Sequence, residues 1–106
     1  MSDYLVDLLN NRKRYTAQIN MLKNHPDTCN DPDEFERFMQ TERDLIRLDY
    51  CIEQLEPKKR ETIEYLYVRG FSMRDLARAR STSKGAIQNQ KRVALRELRA
   101  IFELKA

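Results

Sequence analysis

Apolar residues in the first quarter of the chain recur at steps of three and four positions, the spacing of one face of an α-helix. They lie between residues 3 and about 23, at Leu5, Leu8, Tyr15, Ile19 and Leu22. Residues 24–30 are rich in turn formers, and Pro26 disfavours helical geometry at His25. The pattern predicts one amphipathic helix that ends before this turn.

A second helix is predicted to begin at Pro32. Asp31 is a favourable N-cap, proline suits the first helical position, and acidic residues follow in the first turn. Apolar residues then continue in one stripe at Phe35, Phe38, Met39, Leu45, Ile46, Ile52 and Leu55. We interpret Phe35 and Phe38 as core residues. The two stripes favour a helical hairpin or a coiled coil over residues 1–54, and they suggest dimerisation through this half.

Two shorter helices are predicted at the start of the second half, residues 55–106. Pro57 suits the first turn of a third helix, and Gly70 suits its end. Ser72 and Asp75 have the spacing of a capping box at the start of a fourth helix, which ends near Arg80.

The fourth helix and a long fifth helix have the pattern of a helix-turn-helix. A polar turn at residues 81–83 separates them, and the last helix has apolar residues at Ile87, Ala94, Leu95, Leu98, Ile101 and Phe102. Such a pair needs a small residue where the helices cross and an apolar residue facing it. Ala77 and Ile87 meet these needs. We therefore predict an all-α protein in which a helix-turn-helix bundle follows the first two helices.

Charge separates the two halves. Residues 1–55 carry seven Lys and Arg against eleven Asp and Glu, whereas residues 56–106 carry thirteen against six. The second half therefore has a net charge of +7, which suits a polyanion such as double-stranded DNA.

Several other classes of function find no support in the sequence. One histidine, no glycine-rich phosphate loop and no nucleophile beside a base argue against an enzyme, and no cofactor is expected. His25 and Cys29 share a loop, but two ligands are fewer than a metal site needs. Cys29 and Cys51 belong to no CxxC pair, so we expect reduced thiols. No apolar run approaches the roughly 18 residues of a membrane span, so we expect a cytoplasmic protein.

The second half resembles a known family over about 50 residues without a gap. The matching segments are YVRGFS at 67–72, DLA at 75–77, SKGAI at 83–87, AL at 94–95 and LR at 98–99. They look like the fourth conserved region of sigma factors and like the small phage-encoded late-transcription regulators that reuse this module. The resemblance implies a DNA-binding fold whose last helix enters the major groove of a promoter. It also implies a phage or prophage origin and a contact with bacterial RNA polymerase.

The sequence departs from the family at the turn. Ala79 and Arg80 stand where the family usually has larger apolar residues, and Thr82 replaces an apolar turn residue, which implies a thinner core there. Ser81 stands where glycine is common, and a positive φ at that position would cost about 1 kcal/mol. Lys91 also takes a place that is usually apolar.

The outer face of the last helix supplies the candidate DNA contacts. Gln88 and Asn89 are predicted to read bases, because a carboxamide can donate to adenine and accept from it at once. The predicted phosphate or backbone contacts are Arg74, Arg78, Ser83, Lys84, Gly85, Lys91 and Arg92. Gly85 lacks a side chain where a backbone amide could approach a phosphate.

The leading interpretation is a sequence-specific transcription regulator that binds promoter DNA as a homodimer. Two alternatives stay open. One is a sigma mimic that binds RNA polymerase or an anti-sigma protein and barely touches DNA. The other is a terminase small subunit, although its helix-turn-helix usually comes first in the chain.

Overall fold

The computed structural model describes residues 3–25, 27 and 31–104, and this part of the chain is helical without strands. The helices are α1 (Tyr4–Asn24), α2 (Pro32–Glu53), α3 (Pro57–Ile63), α4 (Met73–Ala79) and α5 (Lys84–Leu104). A π-helical turn, Glu64–Val68, continues α3. The prediction of an all-α protein is confirmed. Pro26 and Cys29 of the predicted turn lie outside the described residues.

The chain divides into two compact units, Met1–Leu48 and Asp49–Ala106. The last part of α2 belongs to the second unit, so residues 49–54 are grouped with the half that follows them rather than with residues 1–48. Within the described ranges, none of the helices has both the length and the apolar character that a membrane span requires.

Helix α1 has a kink at Asn11, whose φ of −112° and ψ of 16° are not helical. The Asn11 side chain donates hydrogen bonds to the carbonyl of Asp7 at 3.1 Å and to its carboxylate at 2.8 Å. Tyr15 donates to the same carboxylate at 2.6 Å, and this bond raises the pKa of the Tyr15 phenol. Asp7 therefore joins the two segments of α1 on either side of the kink.

Both ends of α1 make polar contacts with one short stretch of α2. Tyr4 donates a hydrogen bond to the buried Asp44 carboxylate at 2.5 Å, and Lys23 pairs with Glu42. Burial and this hydrogen bond raise the pKa of Tyr4 well above its ordinary value. Gln40 donates to the other oxygen of Asp44 at 3.0 Å. The Asp44 carboxylate is thus held from both helices.

The apolar residues of α2 lie on two different faces. Its buried residues and those of the following turn include Leu45, Leu48, Cys51, Ile52 and Leu55. Phe35 and Ile46 are 40% and 64% exposed. They are three turns apart on one face, whereas Leu48 is rotated about 200° from Ile46. The prediction that Phe35 is a core residue is therefore wrong, because the single stripe combined apolar residues from both faces.

One buried cluster of the second unit lies between α4 and α5. Leu76, Ala77 and Ile87 form a buried cluster, against which Tyr65, Leu66 and Met73 pack. The predicted meeting of Ala77 and Ile87 is confirmed. The remaining buried side chains of α5 are Ala94, Leu98 and Phe102.

The ends of the short helices follow the local signals in the sequence. Gly70 has a φ of +73°, which a residue with a side chain rarely adopts. At the start of α4, Ser72 Oγ accepts from the Asp75 amide at 3.1 Å, and the Asp75 carboxylate accepts from the Ser72 amide at 3.2 Å. The hydrogen bonds with Ser72 lower the pKa of Asp75. The predicted capping box is confirmed.

The turn between α4 and α5 contains a strained residue. Ser81 has a φ of +53°, in the left-handed region that side chains disfavour. On either side of it, the Ser81 amide donates to the Arg78 carbonyl at 3.2 Å and the Thr82 amide donates to the Ala77 carbonyl at 2.9 Å. These bonds hold Ser81 at a positive φ. Glycine, which is common at this position in the family that the second half resembles, adopts this conformation without strain.

Replacing Ser81 with glycine should relieve this strain. We expect Ser81→Gly to raise the free energy of unfolding by about 1 kcal/mol in chemical denaturation. Thr82→Gly is the matched control, since Thr82 does not share the positive φ, and it should lower stability. Equal losses of stability in the two variants would contradict the strain at Ser81.

Candidate nucleic-acid interface

Burial of one side sets the rotation of α5 about its own axis, and Ser83 caps the start of the helix. Ser83 Oγ accepts a hydrogen bond from the Ala86 amide at 3.1 Å, and the Ser83 carbonyl accepts from the Ile87 amide at 3.2 Å. Ile87, Ala94 and Leu98 are buried along one side of the helix. Because these three lie on one side, the opposite side of α5 faces solvent. Ser83 acts as the cap of α5, and its hydroxyl hydrogen can still donate to a ligand.

The exposed residues on that opposite side form what we call the outer face of α5. Within residues 84–96 they are Gly85, Gln88, Asn89, Arg92 and Arg96, and we include the exposed Lys84 in the first turn. The segment 84–96 contains four basic residues and no acidic residue. The outer face is therefore polar and positively charged over more than three helical turns.

The next acidic residue along α5 has a basic partner. Glu97 accepts a hydrogen bond from Lys59 of α3 at 2.5 Å, and this bond raises the pKa of Lys59. The Glu97 carboxylate is thus paired next to the outer face, which limits its effect on the positive potential there.

A groove of about 500 Å³ runs along α5, and Gly85, Gln88, Asn89, Arg92 and Leu95 are among the residues that line it. A methyl group added to Gly85 would meet only Ser83 Oγ, at 3.9 Å, which is an ordinary contact. Packing within the chain therefore does not require glycine at this position. The missing side chain instead leaves space at the surface of the groove.

Two of the predicted DNA-binding residues contact each other. Arg92 Nη2 donates a hydrogen bond to Asn89 Oδ1 at 2.7 Å, and both side chains are exposed. The sequence assigned these residues separate roles, one reading bases and the other binding phosphate. The contact makes them one unit on the outer face.

Lys91 lies at the edge of this surface rather than on the outer face. It is half-buried, and its ammonium group lies 5.8 Å from the centre of the Tyr67 ring, within the range of a cation–π interaction. Its position on α5 still lets it line the groove.

Arg74 and Arg78 are exposed on α4. They lie on the side of that helix opposite Leu76 and Ala77, which pack toward α5. Arg78 lies in the last turn of α4 and Arg74 in its first turn, and neither is part of the outer face.

Arg80 has a role that the sequence interpretation missed. Its Nη1 atom donates to Thr62 Oγ1 at 2.8 Å and to Gln90 Oε1 at 2.6 Å. Its Nη2 atom donates to the Lys58 carbonyl at 3.4 Å and lies 3.8 Å from the Glu61 carboxylate. We call these contacts the Arg80 network. They join the end of α4 to α3 and α5, where the sequence suggested only a thinner core.

Arg96 is another residue that the sequence interpretation omitted. It is exposed one turn beyond Arg92 on the outer face. The signal was present in the sequence, because residues 85, 88, 92, 96 and 99 follow the three- and four-residue steps of one helical face.

In the part of the chain that the structure describes, no cluster of three or more His, Cys, Asp or Glu residues could hold a metal ion.

Comparisons of this chain with protein-family models, curated proteins and solved structures found no match. The resemblance to the fourth region of sigma factors therefore stays a prediction from the sequence.

Breaking the Arg80 network should destabilise the second unit. We expect Arg80→Met to lower the free energy of unfolding by about 2 kcal/mol, because it leaves the buried Thr62 hydroxyl and the Gln90 carboxamide without their charged donor. Arg80 is suited to this test, since only 16% of its side chain is exposed.

The matched control is Arg78→Met, two positions earlier on the exposed side of α4. Its effect in the same denaturation experiment should stay within about 0.5 kcal/mol of zero. Similar decreases in the free energy of unfolding for both variants would mean that the Arg80 hydrogen bonds contribute little to stability.

Proposed function

We propose that the protein is a sequence-specific transcription regulator that binds double-stranded DNA through the outer face of α5. The observation that carries the proposal is the exposed, acid-free face over residues 84–96, where basic and carboxamide side chains line an open groove. The major groove of B-DNA admits one α-helix, and its floor presents hydrogen-bond donors and acceptors to such a face.

The residues of the outer face divide by what they can recognise. Gln88 carries both donors and acceptors, which suits base edges, whereas the Asn89 oxygen already accepts a hydrogen bond from Arg92. Lys84 and Arg96 carry positive charge toward the two ends of the outer face, which suits phosphates on either side of the DNA major groove. Ser83 and Gly85 leave a hydroxyl hydrogen and open space at the start of α5, where the chain can approach the DNA backbone closely.

The architecture in this proposal is a sigma-like helix-turn-helix formed by α4 and α5, preceded by a helical hairpin or coiled coil. The four-residue connection, the packing of Ala77 against Ile87 and the positive φ of Ser81 support the helix-turn-helix. The homodimer, the contact with RNA polymerase, the phage origin and the cytoplasmic location rest on the sequence alone.

DNA binding should show the salt dependence of phosphate neutralisation. We expect log K for random duplex DNA, measured by fluorescence anisotropy, to fall with log salt concentration at a slope of about −0.9 per phosphate contacted. Gly85→Glu should lower affinity for every sequence, because it puts a negative charge into the groove. Its thermal stability should not fall, since the added side chain meets open space and an acidic residue suits the first turn.

Gly85→Gln is the matched control, with a side chain of the same size and no charge. It should bind DNA more tightly than Gly85→Glu at low salt, and the difference should shrink as salt rises. Binding that ignores salt, or equal affinity in the two variants, would overturn the proposal. Capture of RNA polymerase by a protein that does not bind DNA would favour the sigma mimic, and a ring of many subunits would favour the terminase subunit.

A further inference from the structure

The hydrogen bond between Arg92 and Asn89 changes what each side chain can recognise. Asn89 Oδ1 accepts from Arg92 Nη2 at 2.7 Å, so this oxygen already has a charged donor. An asparagine that reads adenine uses its oxygen to accept from N6 while its nitrogen donates to N7. Because Arg92 takes one of the two lone pairs of this oxygen and directs the side chain toward itself, Asn89 is better placed to support its neighbour than to form this paired contact.

Arg92 keeps most of its hydrogen-bonding capacity. A guanidinium carries five N–H donors in a rigid plane, and the bond to Asn89 uses one of them. None of the ion pairs found among the described residues involves Arg92, and segment 84–96 offers it no carboxylate. Its charge and its remaining donors are therefore available to a ligand.

The position of Arg92 suits a base better than a phosphate. It lies near the middle of the outer face, two turns from the open surface at Gly85 and one turn before Arg96. A phosphate contact needs only a flexible positive charge, whereas a paired contact with a base needs a guanidinium of fixed direction. The hydrogen bond to Asn89 orders the Arg92 side chain before DNA binds, so binding costs less side-chain conformational entropy.

We propose that Arg92, held by Asn89, reads one guanine through its N7 and O6 atoms, in place of the phosphate contact expected from the sequence. Both guanine atoms are acceptors on the major-groove edge, and two parallel N–H groups of arginine match them. Asn89 acts as a positioning residue in this arrangement. The inference rests on the proposed function, since it requires α5 to lie in the major groove.

The test is selection of bound duplexes from random DNA by the full chain, followed by affinities for the selected site and for copies with single base changes. The wild type should require guanine at one position by about tenfold or more over other bases. Arg92→Lys should remove most of this preference, because an ammonium group cannot form the paired contact. Arg96→Lys is the matched control and should leave the preference unchanged.

Two substitutions of Asn89 test the positioning role. Asn89→Asp keeps an oxygen that can accept from Arg92, so the guanine preference should remain even though overall affinity falls. Asn89→Ala removes that oxygen and should weaken the preference severalfold. Circular dichroism melts of all variants distinguish these changes from loss of folding.

The outcomes separate the two proposals. Three results would overturn the role of this pair alone. They are salt-dependent binding without a guanine preference, a loss of affinity in Arg92→Lys that is equal for all sequences, and equal guanine preferences in the two Asn89 variants. Failure of the wild type to bind any duplex would overturn the proposed function as well.

Discussion

The Arg80 guanidinium joins three helices of the second unit. It donates to the Thr62 hydroxyl and the Lys58 carbonyl on α3 and to the Gln90 carboxamide on α5, while its own backbone ends α4. Hydrogen bonds from a charged donor are stronger than those between neutral groups, and they also require defined geometry. A larger apolar residue would fill the same space but would form no directional hydrogen bonds. The angle between α4 and α5 therefore depends on a directional contact as well as on packing.

The outer face of α5 follows from this arrangement. Burial of Ile87 and the bond from Arg80 to Gln90 set the rotation of the helix, which turns residues 84, 85, 88, 89, 92 and 96 to solvent. Ser81 is held at a positive φ between hydrogen bonds from its own amide and from Thr82. The structure thus tolerates local strain in the four-residue connection between α4 and α5, which ends at Ser83, the cap of α5.

Local signals in the sequence were sufficient for several of the helix ends. Proline at Pro32 and Pro57, the capping box at Ser72 and the glycine at Gly70 each act within a few residues, so their effect can be predicted without the fold. The faces of α2 could not be assigned in this way. Apolar residues on two sides of one helix have spacings that fit a single stripe, and only tertiary packing decides which side is buried.

The same distinction applies to the candidate site. The sequence was enough to predict a polar, basic face on the last helix, because helical periodicity places residues on faces. The contacts of Arg80 and the bond between Arg92 and Asn89 depend on side-chain rotamers and on partners up to 22 residues away, which periodicity does not specify. The contacts of individual side chains therefore depend on the fold and cannot be predicted from periodicity.

The most direct test of the account is an NMR titration of the labelled full chain with a short DNA duplex. The account predicts that the largest backbone amide shifts fall on residues 83–96, together with the side-chain amides of Gln88 and Asn89, while residues 4–24 stay nearly unchanged. Shifts concentrated in Met1–Leu48, with none on the outer face of α5, would contradict it.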